Sequence, residues 1–182
     1  MSKICIFPTD TVYGIGCPIF DLDGIKTIYA IKHRSLDKPL ACLCASLEQI
    51  EEIAEVNQSV KVLIKTFMPG ALTLILKSKP EVEQKIGYKT IGVRIPDSLL
   101  ARQILEENGP MLTTSVNESG EKPLNSYEEI VSCYGHLVQT IYPPAEVSSN
   151  IPSTVLDATT KEFRILREGG IKLNQILEAL KD

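Results

Sequence analysis

Residues 90–116 read TIGVRIPDSLLARQILEENGPMLTTSV, and this stretch decides the class of the fold. Ile91, Val93 and Ile95 alternate with smaller or polar residues, the pattern of a half-buried strand. Ser98 then caps a helix whose apolar face carries Ile104 and Leu105, and Met111 to Val116 is extended again. A chain whose apolar period passes from about two to about 3.6 and back, with turn residues at each change, builds a sheet flanked by helices. Bundles and sandwiches do not switch in this way.

Working outward, the same switch recurs. Leu72 to Leu76 is a strand, preceded by a helix over Val60 to Phe67 that Met68-Pro69-Gly70 ends. Ser46 followed by Gln49 is a capping-box pattern opening a helix over Ile50 and Ile53, and Leu40 to Ala45 is extended after Pro39. Leu22, Ile25, Ile28 and Tyr29 recur at helical spacing up to about Lys32 with Asp21 as N-cap, and Ile4 to Phe7 is a strand stopped by Pro8. In the other direction, Asn117 to Asn125 is polar, rich in turn formers and read as a mobile loop. Tyr127 to Cys133 is a helix, Leu137 to Ile141 a short strand, and Pro143 to Pro152 a second polar loop. Thr154 to Leu156 and Phe163 to Leu166 are strands, and Leu173, Ile176, Leu177 and Leu180 stripe a last amphipathic helix. No linker or repeat divides the chain, so residues 1–182 are expected to form a single α/β domain.

Composition narrows the functional classes. At 43% hydrophobic and 23% charged the chain is too apolar and too weakly charged for disorder. No Trp, four Phe and six Tyr argue against an extended base-stacking platform, and a net charge of −4 argues against general nucleic-acid binding while leaving room for a locally basic cleft. No apolar run approaches the roughly 18 residues of a membrane helix, and Met1 to Phe7 is too short for a signal peptide, so a cytoplasmic protein without membrane contact is expected. Cys5, Cys17, Cys42, Cys44 and Cys133 contain no CxxC pair and read as reduced structural thiols; no metal site is expected.

The absent motifs are as informative. There is no GxxxxGK[ST] loop, Gly14-Ile15-Gly16 lacks the third glycine of a dinucleotide fingerprint, and neither GxSxG nor HExxH occurs. With only His33 and His136, histidine acid–base chemistry has little to work with. Instead, hydroxyl-rich clusters follow strands at Pro8 to Gly14, Thr113 to Asn117 and Ser153-Thr154, where strand ends border a cleft. Cations form a second constellation: Lys32, Arg34 and Lys38, then Arg94, then Arg167. Arg94 interrupts an apolar strand, and alternation places it opposite Ile91, Val93 and Ile95, on a face that has to be polar. Cations from distant segments of an acidic chain converge most readily on an anion, a triphosphate or a carboxylate, each charge-assisted hydrogen bond contributing roughly 1.5–3 kcal/mol.

Seven motifs stand in order from Cys5 to about Gly169: PTDTVYGIGC (Pro8 to Cys17), KHRSLDKPL (Lys32 to Leu40), MPGALTLILK (Met68 to Lys77), TIGVRIP (Thr90 to Pro96), TTSVNESG (Thr113 to Gly120), STVLD (Ser153 to Asp157) and LREGG (Leu166 to Gly170). In this set the chain resembles the YrdC/TsaC family, the L-threonylcarbamoyladenylate synthases. The resemblance implies a twisted mixed β-sheet with flanking helices and a concave basic cleft. It also implies a nucleotidyltransferase that forms threonylcarbamoyl-AMP and pyrophosphate from L-threonine, bicarbonate and ATP for tRNA t6A modification. Mg²⁺ would enter with ATP as substrate, and no tightly bound cofactor is expected. By the same likeness Thr9, Arg94, Thr113 and Ser153 hold the amino acid, with Arg94 on its carboxylate. Lys32 and Arg34 form the catalytic pair that neutralises the phosphates. Thr90, Ser115, Asn117 and Arg167 contact the nucleotide, joined by Pro123 from the following loop. The partner implied is tRNA, or a separate t6A transferase complex that takes up the product.

Ala71 stands where the family commonly has Pro, and Val116 where it commonly has Ala. The chain starts close to its first motif and ends with the last helix, which points to the short, single-domain type. Two other readings stay open. One is a YciO-like paralogue without this activity, although such paralogues generally lack the Lys32/Arg34 pair and the Ser115/Asn117 motif. The other is a double-stranded RNA or tRNA-binding module that uses the same basic surface without chemistry, its binding falling steeply with salt.

Overall fold

The computed structural model describes residues 3–145 and 148–181. In chain order it contains β1 (Cys5–Phe7), β2 (Gly14–Pro18), α1 (Leu22–Ile31), β3 (Ala41–Leu43), α2 (Leu47–Ile53), α3 (Gln58–Phe67), β4 (Leu72–Lys77) and α4 (Pro80–Ile86). There follow β5 (Thr90–Arg94), α5 (Leu99–Asn108), β6 (Met111–Ser115), α6 (Tyr127–Tyr134), β7 (Thr140–Ile141), β8 (Thr154–Asp157), β9 (Arg164–Arg167) and α7 (Leu173–Ala179). The nine strands among the described residues make one mixed sheet in the order β7-β1-β2-β6-β3-β5-β4-β8-β9. The fold is thus a large twisted sheet with flanking helices, and among the described residues no helix is long and apolar enough to cross a membrane.

Local chemistry sets the helix starts. Asp21 Oδ1 accepts from Gly24 N at 2.9 Å to begin α1, and Ser98 Oγ accepts from Ala101 N at 3.2 Å to begin α5. At α2, Ser46 Oγ accepts from Gln49 N, but the Gln49 side chain takes the Ala45 N–H at 2.8 Å rather than that of Ser46, so the capping box is displaced by one residue.

The two faces of the sheet have opposite fates. Register places Ile15, Leu112, Cys42, Val93, Leu74 and Leu156 on one face, and all are fully buried. Ile28 of α1, Ile50 of α2, Leu63 of α3, Val82 of α4, Ile130 of α6 and Ile176 of α7 belong to that same core. On the other face only α5 contributes, packing Ala101, Ile104 and Leu105 against Leu43, Met111 and Phe7. Past that patch the second face carries mostly small or polar residues beside Ile75 and Val155, too little apolar area to hold another helix at roughly 25 cal/mol per Å². No helix covers Gly14, Thr113, Ala41, Gly92 and Thr73, which the surrounding loops close off instead.

Four elements depart from the expectations above. β2 was not foreseen; its two glycines are there because Cβ atoms at Gly14 and Gly16 would come within 2.7 Å of Thr113 side-chain atoms on β6. α4 was also not foreseen, having Val82 as its one buried residue behind an N-terminal Pro80. The expected strand over Leu137 to Ile141 shrinks to Thr140–Ile141, and the expected Phe163 start of β9 moves to Arg164. The loop after β6 is tied down at both ends: Ser119 N donates to Lys32 O at 3.0 Å and Leu124 N donates to Val116 O at 2.8 Å. Of the second loop, Pro143 to Pro152, residues 146 and 147 lie outside the described residues. Its remainder binds the turn after β1, with Ser149 N donating to Asp10 O at 2.9 Å and Asn150 N to Thr11 O at 3.0 Å.

Candidate active site

The helix-free half of the second face is the floor of a cleft of about 420 Å³. Its walls are the turn after β1, the loop after β6 and the segment leading into β8, so residues far apart in sequence share one hollow. Thr9, Arg34, Arg94, Thr113, Ser115, Asn117, Pro123, Ser153 and Arg167 all line it. Thr90 does not. It lies on the same face of β5 as Gly92 and Arg94, but it opens into a neighbouring groove of about 540 Å³ with Tyr29 and Tyr88, which shares Pro39 with the cleft. Lys32 is not at the cleft surface either.

Lys32 is 1% exposed. Its ammonium donates to Ser115 O, to Asn117 O at 2.9 Å and to Asn117 Oδ1 at 2.8 Å. All three protons are thereby engaged by the strand end and loop that carry the Ser-x-Asn motif. A solvated helix-end cation is ruled out at this position. Burial, and next the charge of Arg34, push its pKa down to about 8. Arg34, two residues on, is half-buried and faces the cleft; its Nε donates to Lys38 O at 2.8 Å and its Nη2 to Pro39 O at 3.1 Å.

Arg94 is 6% exposed and anchored on three sides. Nε donates to Gly70 O at 3.0 Å, Nη1 to Thr11 Oγ1 at 2.9 Å, and Nη2 to Asp10 Oδ1. Two of the five guanidinium protons have no partner in this set and remain for a ligand. Burial lowers the Arg94 pKa, opposed by the Asp10 carboxylate. Arg167 reaches over from β9: Nε and Nη2 donate to Ser153 O at 3.1 and 2.9 Å, and Nη2 also donates to Ser153 Oγ at 3.2 Å. Its pKa is lowered by burial and then by the charge of Arg94, so the two guanidinium groups repel across the cleft. Of Arg34, Arg94 and Arg167, only Arg94 has a carboxylate partner among the described residues. A pocket with this surplus of positive donors suits an acceptor-rich anion.

Thr9 lines the cleft and also braces the turn after β1. Its hydroxyl donates to Val12 O at 2.7 Å while its oxygen takes the Thr11 and Val12 N–H groups, so it holds the turn together. Asp10, Thr11, Thr73 and Gly92 were missed as site residues. Asp10 and Thr11 sit inside the quoted PTDT motif, and Thr73 and Gly92 inside two others. The usable signal was alternation, since Thr73 and Gly92 fall on the same face as Arg94.

Comparison with known proteins identifies relatives of the chain and of its fold. A family model named Sua5/YciO/YrdC, described as telomere recombination, matches residues 1–169. The chain is 34% identical over 179 residues to the threonylcarbamoyl-AMP synthase of Pyrococcus abyssi, an alignment taking in 96% of this chain and 53% of that one. It therefore spans about half the length of that curated relative. Among solved structures, P. abyssi Sua5 complexed with L-threonine superposes with a TM-score of 0.88 at 34% identity, over 97% of this chain and 53% of that one. E. coli YciO superposes with a TM-score of 0.85 at 29% identity, over 96% of this chain and 87% of that one. With seven motifs in order and a family model matching residues 1–169 of 182, the chain belongs to the Sua5/YciO/YrdC family.

Proposed function

We propose that this chain is one YrdC-like domain that makes threonylcarbamoyl-AMP and pyrophosphate from L-threonine, bicarbonate and ATP, supplying tRNA t6A modification. The observation that carries the reading is the convergence of Arg34, Arg94 and Arg167 on one cleft in an acidic chain, with Lys32 buried beneath the same wall.

The threonine amine and bicarbonate first condense to a carbamate with loss of water. A carbamate oxygen then attacks the α-phosphorus in line, forming the new P–O bond as the bond to pyrophosphate breaks. No protein nucleophile is needed; the chain's task is to hold reactants together and offset phosphate charge. Arg94, its guanidinium fixed by Asp10, Thr11 and Gly70, directs its two remaining protons at the amino-acid carboxylate. Thr113 and Ser153 complete that end, and Thr9 acts by shaping the turn that presents Thr11. Arg34 and Arg167 meet phosphate oxygens directly. Lys32 adds charge from below while fixing Ser115 and Asn117. Pro123 borders the nucleotide, and Thr90 meets its far end through the groove that shares Pro39.

The cation Mg²⁺ arrives with ATP. That magnesium would be held by phosphates and water. The family's partners, tRNA or a transferase complex, are proposed as downstream recipients.

Incubation of the purified chain with Mg·ATP, L-threonine and ¹³C-bicarbonate tests this. An AMP-linked product containing threonine and one heavy carbon, lost when any substrate is omitted, is expected. Binding of RNA with no such product, or ATP turnover indifferent to threonine, would overturn it.

A further inference from the structure

Eight hydroxyl-bearing residues line the cleft; Tyr13 donates to Tyr142 O at 3.4 Å and Thr114 shares the opposite sheet face with Ile15, which leaves Thr9, Thr11, Thr73, Thr113, Ser115 and Ser153. Each brings one proton and two lone pairs, so the destination of every proton can be followed. Thr9 donates to Val12 O at 2.7 Å, which leaves Thr11 as the donor in the 3.0 Å contact between their oxygens. Thr113 donates to Met111 O at 3.1 Å, and Ser115 donates to Asn117 Oδ1 at 2.7 Å. These four protons are committed within the protein.

The remaining two hydroxyls behave differently. Thr73 Oγ1 and Ser153 Oγ lie 2.8 Å apart, and both residues are buried, 5% and 4% exposed. Arg167 Nη2 donates to Ser153 Oγ at 3.2 Å. A guanidinium only donates, so Arg167 fills one lone pair of Ser153 and absorbs no proton. Thr73 and Ser153 thus hold two protons but share one hydrogen bond. Whichever of them donates to the other, one O–H is left over, and both residues line the cleft.

We propose that Thr73 and Ser153 act as one unit that delivers a single hydroxyl proton to a carboxylate oxygen of the amino-acid substrate, making Thr73 a binding residue for that substrate. This rests on the functional reading above and extends it to the atom recognised. The surroundings favour a carboxylate over the substrate's own hydroxyl. The register places Thr73 beside Arg94 on the cleft face: Leu74 pairs with Val93, so the residues flanking that pair share the opposite face. Arg94 retains two guanidinium protons with no partner in its hydrogen-bond set. This end of the cleft therefore presents donors, and a carboxylate, with two oxygens that only accept, matches it.

A shared proton has a signature that a simple contact lacks. In Thr73→Val the Ser153 hydroxyl is released from Thr73 and still serves the ligand; in Ser153→Ala the Thr73 hydroxyl does so. Only the double variant removes the donor. Calorimetric titration with L-threonine is expected to give losses of at most about threefold for each single variant. The double variant is expected to lose on the order of tenfold to a hundredfold, the range for a hydrogen bond to a charged group. The ratio of affinities for L-threonine and its neutral carboxamide is the second readout. It should fall toward unity only in the double variant, and being internal to each protein it does not depend on the fraction folded. A single variant as weak as the double, a double variant no weaker than the singles, or an unchanged ratio would overturn the proposal while leaving wild-type threonine binding, and so the functional reading, intact. Failure of the wild-type chain to bind L-threonine at all would overturn both.

Discussion

Replacing Lys32 by Met separates two residues that the sequence presents as twins. The ammonium of Lys32 is the donor to the Ser115 and Asn117 carbonyls and to the Asn117 carboxamide oxygen. The carboxamide oxygen keeps Ser115 Oγ as a donor at 2.7 Å, so in Lys32→Met the two carbonyls bear the loss. A buried acceptor stripped of its donor costs about 1–3 kcal/mol, and the apolar Met recovers part of this by ending the burial of a charge. A net destabilisation of about 2–4 kcal/mol follows. That is within the roughly 5–15 kcal/mol of a typical domain, so the chain stays folded with Tm lower by roughly 5–15 °C. Arg34→Ala removes bonds at the surface, to Lys38 O and Pro39 O, and an interaction with the Tyr29 hydroxyl, and should cost about 1 kcal/mol. Both variants are expected to lose ATP affinity, for different reasons: Arg34→Ala through lost phosphate contact, Lys32→Met through a displaced Ser115–Asn117 wall and a lost charge. Thermal unfolding paired with a fluorescent ATP-analogue titration separates them. Equal Tm for Lys32→Met and wild type, or an equally large fall in Arg34→Ala, would refute the buried-strut reasoning.

Other consequences can be measured on the same protein. Because the folded pKa of Lys32, about 8, lies below its ordinary 10.5, the unfolded chain binds more protons between those values. Stability therefore gains a contribution as pH rises through that window, and the burial cost is fully present below about pH 8; the difference in unfolding free energy between wild type and Lys32→Met, followed from pH 7 upward, should show that rise, and a flat difference would contradict it. A Cβ at Gly92 would meet Ile75 Cδ1 at 3.1 Å and Thr73 Cγ2 at 3.4 Å, so Gly92→Val should raise a branched side chain into the cleft floor and lower affinity for L-threonine and ATP together at least tenfold. Binding equal to wild type would show that no ligand crosses that floor. With Cys17, Cys42 and Cys44 buried and the Cys5 and Cys17 thiols pushed up to about 12 by burial, a thiol reagent should label one exposed residue, Cys133, rapidly in the native chain and all five only on unfolding. Rapid labelling of several cysteines would contradict the packed core.

The sheet class was legible because residues 90–116 switch period twice within one stretch, and the helix starts at Asp21, Ser46 and Ser98 because a capping side chain is a local event. β2 was illegible because what makes Gly14 and Gly16 strand residues is the Thr113 side chain, nearly a hundred positions away. α4 hid because six of its seven residues are not buried. At the site, Arg94 could be located from alternation alone, since a cation between Ile91, Val93 and Ile95 needs a polar face. Its partners Asp10 and Gly70 could not, as nothing local joins them. Lys32 is the instructive case. A lysine at a helix end looks like a solvated cap, and only the packing of the Ser115–Asn117 wall over it reveals a buried staple with every proton engaged. Thr73 went unassigned because threonine is an ordinary strand residue, and its distinction is the unmatched proton it shares with Ser153.

The central claim is that the helix-free half of one sheet face seats an amino acid and a triphosphate side by side in a single cleft. Titration of L-threonine into the chain already saturated with Mg²⁺ and a non-hydrolysable ATP analogue tests it most directly. The account predicts simultaneous binding, one of each per chain, with Arg94→Ala abolishing the threonine isotherm and Arg34→Ala chiefly weakening the nucleotide. Mutually exclusive binding, or threonine affinity indifferent to Arg94, would contradict it.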